Sequence, residues 1–363
     1  VPRLLPVLLT TLLFAAPLEA LRAECPQEVP ESEWSLLKPL ARKALVLDVL
    51  RVEDVHVAVG ERGHVLVSED DGRTWTQKRT PTRSLLTGVW FHDRRLGWAV
   101  GHDAVILRTE DGGESWCRVH FAPELEFPLL DVWFADARNG FALGAYGYFL
   151  RTSDGGLSWT EEELEVSPAH GAAHDAEDDG SEDLAEDDFA GDDEAWDDDE
   201  WLDEGVAADL HLNRIVEGPG GLFLMAESGT VFRSDDQGHS WVALDPPYDG
   251  SFFGGLPVSD GSLLVFGLRG NMFRSWDGGE QWREVRLPVD TSLFGGTRLD
   301  DGRIVVVGTA GVMLVSREGE RFRLVQRPDR KAMVAAAPTR DGTVIVVGEP
   351  GVERLEARVL TAE

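Results

Sequence analysis

Short apolar runs recur along the chain and are cut at close intervals by Gly, Asp and Ser. The stretch LLTGVWFHDRRLGWAVGHDAVILRTEDGGESWCRV, residues 85–119, shows the pattern: LLTGVWF, GWAVG, AVILRT and SWCRV each read as a strand, and no segment carries a helical period. Between the third and fourth runs lies S-x-D-x-G-x-[ST]-W, an Asp-box pattern. It occurs as SEDDGRTW ending at Trp75, TEDGGESW at Trp116, TSDGGLSW at Trp159, SDDQGHSW at Trp241 and SWDGGEQW at Trp282, with a shortened SREGERF at Phe322. The chemistry is that of a hairpin. The carboxylates of Asp70, Asp111, Asp154, Asp236 and Asp277 can accept backbone N–H bonds, Gly72, Gly113, Gly156, Gly238 and Gly279 supply a positive φ, and the Trp opens the next strand.

The box-ending aromatics are separated by 41, 43, 82, 41 and 40 residues. A period near 41 with this strand content predicts four-stranded propeller blades. A second marker, a V-G-x-x-G type turn, falls at Gly60–Gly63, Gly144–Gly147, Gly267–Gly270, Gly308–Gly311 and Gly348–Gly351, with altered copies at Gly101–Ala104 and Ala226–Gly229. That makes seven units, so an all-β, seven-bladed propeller is expected over residues 24–363. The last unit supplies only three strands. Trp34 lies one period before Trp75, so WSLLKPL from Trp34 is expected to close the ring as the fourth strand of the last blade.

The doubled step of 82 is explained by composition. Residues 161–204 hold 22 of the 66 acidic residues and no Lys or Arg, so the remainder of the chain carries about −10 of the net −32. Residues 161–208 therefore read as an acidic, disordered insertion between blades 3 and 4. The acidic balance argues against nucleic acid and anionic membrane surfaces as partners. Residues 1–23, with Arg3 and the apolar run Leu4–Ala16, read as a signal peptide, and no later stretch is apolar enough to span a membrane. The expected location is an exported one, periplasm or a compartment like the thylakoid lumen. Cys25 and Cys117 are free to pair there, without the sequence deciding it.

The face carrying the Gly turns offers basic partner-binding candidates: Arg62, Lys78, Arg79, Arg83, Arg269, Arg327, Arg330 and Lys331. The bland alternative is solvated charge, or attraction that holds the acidic insertion down. Arg108, Arg151, Arg233 and Arg274 recur just before the boxes, and recurrence within a repeat points to packing. Within the insertion, Asp175, Glu177, Asp179 and Glu186 follow a calcium-loop spacing without flanking helices, so diffuse, weak divalent-cation binding is the milder expectation. Trp196 and Trp201, framed by acids, read as an interaction motif or as solvated tail. No catalytic residue and no cofactor is expected: there is no nucleophile elbow, phosphate loop or metal spacing of His, and no arginine triad with a matching Tyr and Glu.

The repeat R-[ST]-x-D-x-G-x-[ST]-W, with V-G-x-x-G, resembles the photosystem II stability/assembly factor family and its bacterial relatives, which are seven-bladed Asp-box propellers. That resemblance covers the chain from Trp34 onward, apart from the insertion. Its box arginine corresponds to Arg108, Arg151, Arg233 and Arg274. What it implies is a non-enzymatic, monomeric helper that holds a membrane or envelope protein during assembly. The alternatives are a glycan-binding or glycosidase-type Asp-box propeller, or a cation-responsive regulator acting through the insertion.

Overall fold

A computed structural model describes residues 25–167, 207 and 209–361. The signal-peptide assignment to 1–23 and the sites at Asp175, Glu177, Asp179, Glu186, Trp196 and Trp201 lie outside them. Seven antiparallel sheets follow one another along the chain. Their inner strands are Val46–Val52, Leu86–Phe91, Leu129–Phe134, Leu212–Gly218, Phe252–Pro257, Leu293–Arg298 and Met333–Pro338. The second strands of six blades, such as Val55–Gly60, Gly140–Gly144 and Ile304–Gly308, are buried at every residue, and that of blade 4 at every residue but Gly221, as expected for sheets covered on both faces. Each inner strand begins beside the Gly turn of its own blade, Val46 opposite Gly60 for example. One face of the ring thus carries the Gly turns, and the other carries the Asp boxes.

The boxes are built as the sequence predicts. Asp70 Oδ1 accepts the Thr74 N–H at 2.8 Å and the Ser68 hydroxyl at 2.9 Å, and Oδ2 accepts the Thr74 hydroxyl at 2.6 Å. Ser68 Oγ in turn accepts the N–H of Gly72, whose φ is +79°. Trp75 closes the loop by donating Nε1–H to the Gly72 carbonyl at 3.2 Å. Asp111, Asp154 and Asp236 repeat the set. In blade 5, Gln281 gives Asp277 only its backbone N–H, at 2.9 Å. In blade 6, Ser316 still accepts from Gly319 at 2.9 Å, although Glu318 follows where the Asp would stand.

The recurring arginines join blades rather than face a partner. Arg108 donates to the carbonyl of Gly155 in the next box at 2.8 Å, Arg151 to Gly238 at 2.6 Å, Arg233 to Gly278 at 3.3 Å and Arg274 to Glu318 at 2.6 Å. Blade 6 has Val315 at that position, and Arg303 substitutes by reaching Gly342 of blade 7 at 3.3 Å. Blade 1 has Val67 there, and Lys78 pairs with Glu114 in the box of blade 2 at 2.6 Å.

Ring closure departs from expectation. Among the described residues the seventh sheet has three strands, Met333–Pro338, Val344–Gly348 and Gly351–Leu355. The segment from Trp34 does not complete it. Ser35 N donates to the Thr80 carbonyl at 2.9 Å, Gln77 Nε2 to the Leu36 carbonyl at 3.0 Å and Lys38 N to Gln77 Oε1 at 2.7 Å, so this segment lies along the outer edge of blade 1. Pro39 interrupts any ladder there. The Cys25–Cys117 disulfide and the Glu33–Arg118 ion pair (2.7 Å) hold the preceding residues on blade 2. The seam between blades 7 and 1 closes through side chains instead. Arg354 donates to the Asp71 carbonyl at 3.0 Å, Arg73 pairs with Asp341 at 3.0 Å, and Ala41, Val46, Val49, Ile345, Val347 and Val352 share one buried cluster.

A second departure is a fifth strand in blade 4, where Val166–Ser167 pairs in parallel with Trp241–Leu244. That outer strand runs from the box face to the turn face, so the insertion leaves its described part heading toward the turn face.

The boxes contribute to the acid sensitivity of the fold. Desolvation is the largest single influence on Asp154 and Asp236 and raises both, but the hydrogen bonds from the box Ser or Thr and backbone together outweigh it and hold them at about 2; for Asp70 the Thr74 bonds are the leading cause, with the same result. These folded values lie below the ordinary carboxylate value of about 3.9. The stabilisation is therefore present above pH 4 and lost as pH falls toward 2. Acid titration of the unfolding midpoint should show the loss in that window, and Asp154→Asn with Asp236→Asn should flatten it.

Candidate partner-binding surface

Each inner strand slips register at its second residue, so that Leu47, Thr87, Leu130, Asn213, Phe253, Phe294 and Val334 bulge toward the axis. All seven line an axial cavity of about 420 Å³. Its two halves differ. In blades 1 to 4, side chains stitch neighbouring inner strands: Thr87 donates to Leu129 O at 2.6 Å, Asn213 to Phe252 O at 2.8 Å, and Asp48 accepts from Val89 N at 3.1 Å. In blades 5 and 6 the backbones meet directly. A Cβ on Gly254 would stand 2.9 Å from Phe294 O, and one on Gly295 would stand 2.4 Å from Val334 O. Phe253 and Phe294 lie 5.3 Å apart on this side.

Arg214 lies between two buried carboxylates in the charged half, 3.3 Å from Asp48 and 3.4 Å from Asp131. Asp131 also accepts the N–H groups of Val132 and Ile215, both at 2.9 Å. Burial pushes the Asp131 carboxyl above its ordinary value, Arg214 opposes that, and Asp48 adds to it. The two carboxylates outweigh the desolvation of Arg214 and raise its pKa. Both acids are therefore committed to Arg214 and to backbone amides, an arrangement that positions strands and leaves no free acid–base pair. Asp48, Asp131 and Arg214 escaped the sequence reading because a single copy at one position of a repeat carries no motif.

The eight basic candidates separate into two groups. Lys78 pairs with Glu114, Arg79 with Glu31 while lying 5.1 Å from the Trp34 ring centroid, and Arg83 donates to the Trp34 carbonyl at 2.9 Å. Arg327 bridges Asp329 and Glu353 at 2.8 and 2.5 Å. These four act within the fold. Arg62, Arg269, Arg330 and Lys331 are exposed and, among the described residues, form no ion pair. Arg62, Arg269 and Arg330 each hold φ near +57°, the left-handed conformation that turns a side chain outward from a tight loop. Lys38, Arg42 and Lys43, on the connection between blades 7 and 1, are exposed and likewise unpaired among the described residues. The sequence reading passed over them because it assigned their segment to a strand. With them, the turn face carries a basic arc over blades 5, 6, 7 and 1, across the ring from the acidic insertion between blades 3 and 4. Among the described residues no group of three or more His, Cys, Asp or Glu is placed to hold a metal ion, and no helix is long and apolar enough to cross a membrane.

Seven blades, five of them carrying the Asp box, define the class: an Asp-box β-propeller. Within it, residues 27–128 match the family described as photosynthesis system II assembly factor YCF48. The chain is 30% identical over 114 residues to the photosystem II stability/assembly factor HCF136 of Oryza sativa subsp. japonica, 29% of this chain and 27% of that protein. It thus aligns with about a quarter of that relative's length. A solved structure of YCF48 bound to D1 peptide superposes with a TM-score of 0.62 at 16% identity, covering 89% of this chain and 96% of the other. Streptogramin B lyase shares the fold as well, with a TM-score of 0.65 at 12% identity over 90% and 98% of the two chains. The resemblance read from the repeats holds: the chain is similar to the photosystem II assembly factors.

Replacing Arg214 by Leu would strand two buried carboxylates at a cost of about 3–5 kcal/mol. Urea unfolding should show the larger loss at pH 7 and a smaller one at pH 4.5, where a proton can take the place of the guanidinium.

Proposed function

We propose that this chain is an exported, non-enzymatic scaffold that holds a segment of a membrane or envelope protein against its turn face during assembly. The basic arc carries the reading. In a chain of net charge −32, exposed cations without internal partners collect over blades 5, 6, 7 and 1, while the other basic candidates are used inside the fold. Such an arc favours a segment bearing carboxylates, including a chain terminus. The similarity to assembly factors, and the D1 peptide bound by a relative, support a protein partner. The use of Asp48 and Asp131 as ligands of Arg214 weighs against a glycosidase, which needs two carboxylates free to act across a cleft. The acidic insertion, leaving blade 4 toward the same face, is proposed to compete with the partner for the arc.

The test is affinity capture from envelope extracts with the mature chain, with a chain lacking residues 168–206, and with Arg62→Glu/Arg269→Glu/Lys331→Glu. Capture of one membrane protein by the first, stronger capture by the second and loss with the third is the expected outcome. Capture unaffected by the charge reversals would overturn the reading.

A further inference from the structure

We propose that the outer edge of blade 7 docks an extended, apolar segment of a protein partner, which joins the sheet as its missing fourth strand. This surface meets the basic arc only at Arg42 and Lys43, and its test is independent. The other six sheets each have a fourth strand covering the third. In blade 6 the third strand, Val312–Ser316, is buried at every residue. In blade 7 the third strand, Gly351–Leu355, is buried only at Gly351 and Val352, and Glu353, Arg354 and Leu355 are half-exposed. After Leu355 the chain does not turn back along the edge. It enters the short helix Ala357–Thr361, where Leu360 packs with Val315 of blade 6. Among the described residues, a row of backbone donors and acceptors therefore lacks its strand.

Three observations describe what fits. First, the charges along the edge are already used: Glu353 pairs with Arg327 at 2.5 Å, and Arg354 with Asp341. They neither repel an incoming strand nor demand a charged one. Second, Leu36, Leu37 and Leu40 are 49, 60 and 64% exposed, and they lead directly into Ala41, which is packed in the same cluster as Val352. Apolar surface thus runs from the outer edge of blade 1 to the seam with blade 7. The unpaired Arg42 and Lys43 stand at the turn-face end of the vacant edge, where their backbone abuts Gly351, so an acidic residue suits that end of the segment. Third, a blade edge in this ring does recruit an extra strand, since the outer strand of blade 4 pairs with Val166–Ser167 and Trp241 N donates to Glu165 O at 2.9 Å. Main-chain hydrogen bonds would supply affinity, and the leucines, Arg42 and Lys43 the selectivity.

A peptide of residues 239–246, HSWVALDP, serves as the probe. It forms the outer strand of blade 4, is apolar through its centre and ends with Asp245 on the turn-face side. Hydrogen exchange of the intact, disulfide-bonded chain is followed with and without it. The proposal expects amides 352–355 to exchange faster than amides 313–316 in the free protein. It expects them to slow at least about tenfold with the peptide, and to be unaffected by the same peptide N-methylated at alternate residues. Amides 352–355 as protected as 313–316 in the free protein would mean that the edge is already covered, and would overturn it. So would an unchanged edge at saturating peptide, whether or not the peptide binds elsewhere.

Discussion

The arginine of one blade donating to a box carbonyl of the next is the interaction on which the ring depends. A propeller blade shares no backbone ladder with its neighbours, so adjacent sheets are joined chiefly by bonds that involve a side chain. Apolar clusters supply most of the adhesion and little of the angle. The guanidinium fixes the angle, because a planar donor with several N–H groups can hold its own blade and the neighbouring turn at once. Arg274 shows the full arrangement: 2% exposed, it binds Ser262 at 2.7 Å and Asp260 at 2.7 Å in its own blade, and Glu318 O across the seam. The Asp box makes this work from the other side. By bonding its own carboxylate and hydroxyl inward, it leaves a carbonyl in a fixed place for the arginine to find.

Closure follows the same rule, and the open edge is its consequence. Blade 7 is joined to blade 1 by Arg354 and Asp341 as blade 2 is joined to blade 3 by Arg108, so the seam does not require a strand exchanged between the two chain ends. The N-terminal segment is then free to lie along blade 1, secured by the disulfide to blade 2. Two different surfaces result at one place on the ring: a basic arc on the turn face and a strand edge at the rim of blade 7. Both lie away from blades 3 and 4, from which the acidic insertion departs.

The architecture was legible because each blade repeats its own instructions. Box, Gly turn and apolar runs recur at a near-constant step, and their count needs no tertiary information. The structural role of Arg108, Arg151, Arg233 and Arg274 was legible for the same reason. Register alone misled at Trp34, which stands one period before Trp75 yet is followed by Pro39 and preceded by a cysteine bonded to Cys117. Those constraints act through space and leave no trace in the period. The triad of Asp48, Asp131 and Arg214 was hidden in the opposite way, since its members sit at equivalent positions of different blades and break the repeat instead of following it. The basic candidates were half legible: sequence marks a charge, and only the fold shows that Lys78, Arg79 and Arg327 are already partnered while Arg62 and Lys331 are not.

Whether side chains close the ring is read most directly by urea unfolding of Arg354→Ala beside Arg274→Ala. Each change removes one guanidinium bridge, from the terminal seam and from an internal seam. Both variants are expected to unfold in a single transition at a lower midpoint, each losing about 2–3 kcal/mol. An Arg354→Ala midpoint equal to that of the unaltered chain would contradict closure by side chains, because the terminal seam would then be held by something other than this bridge.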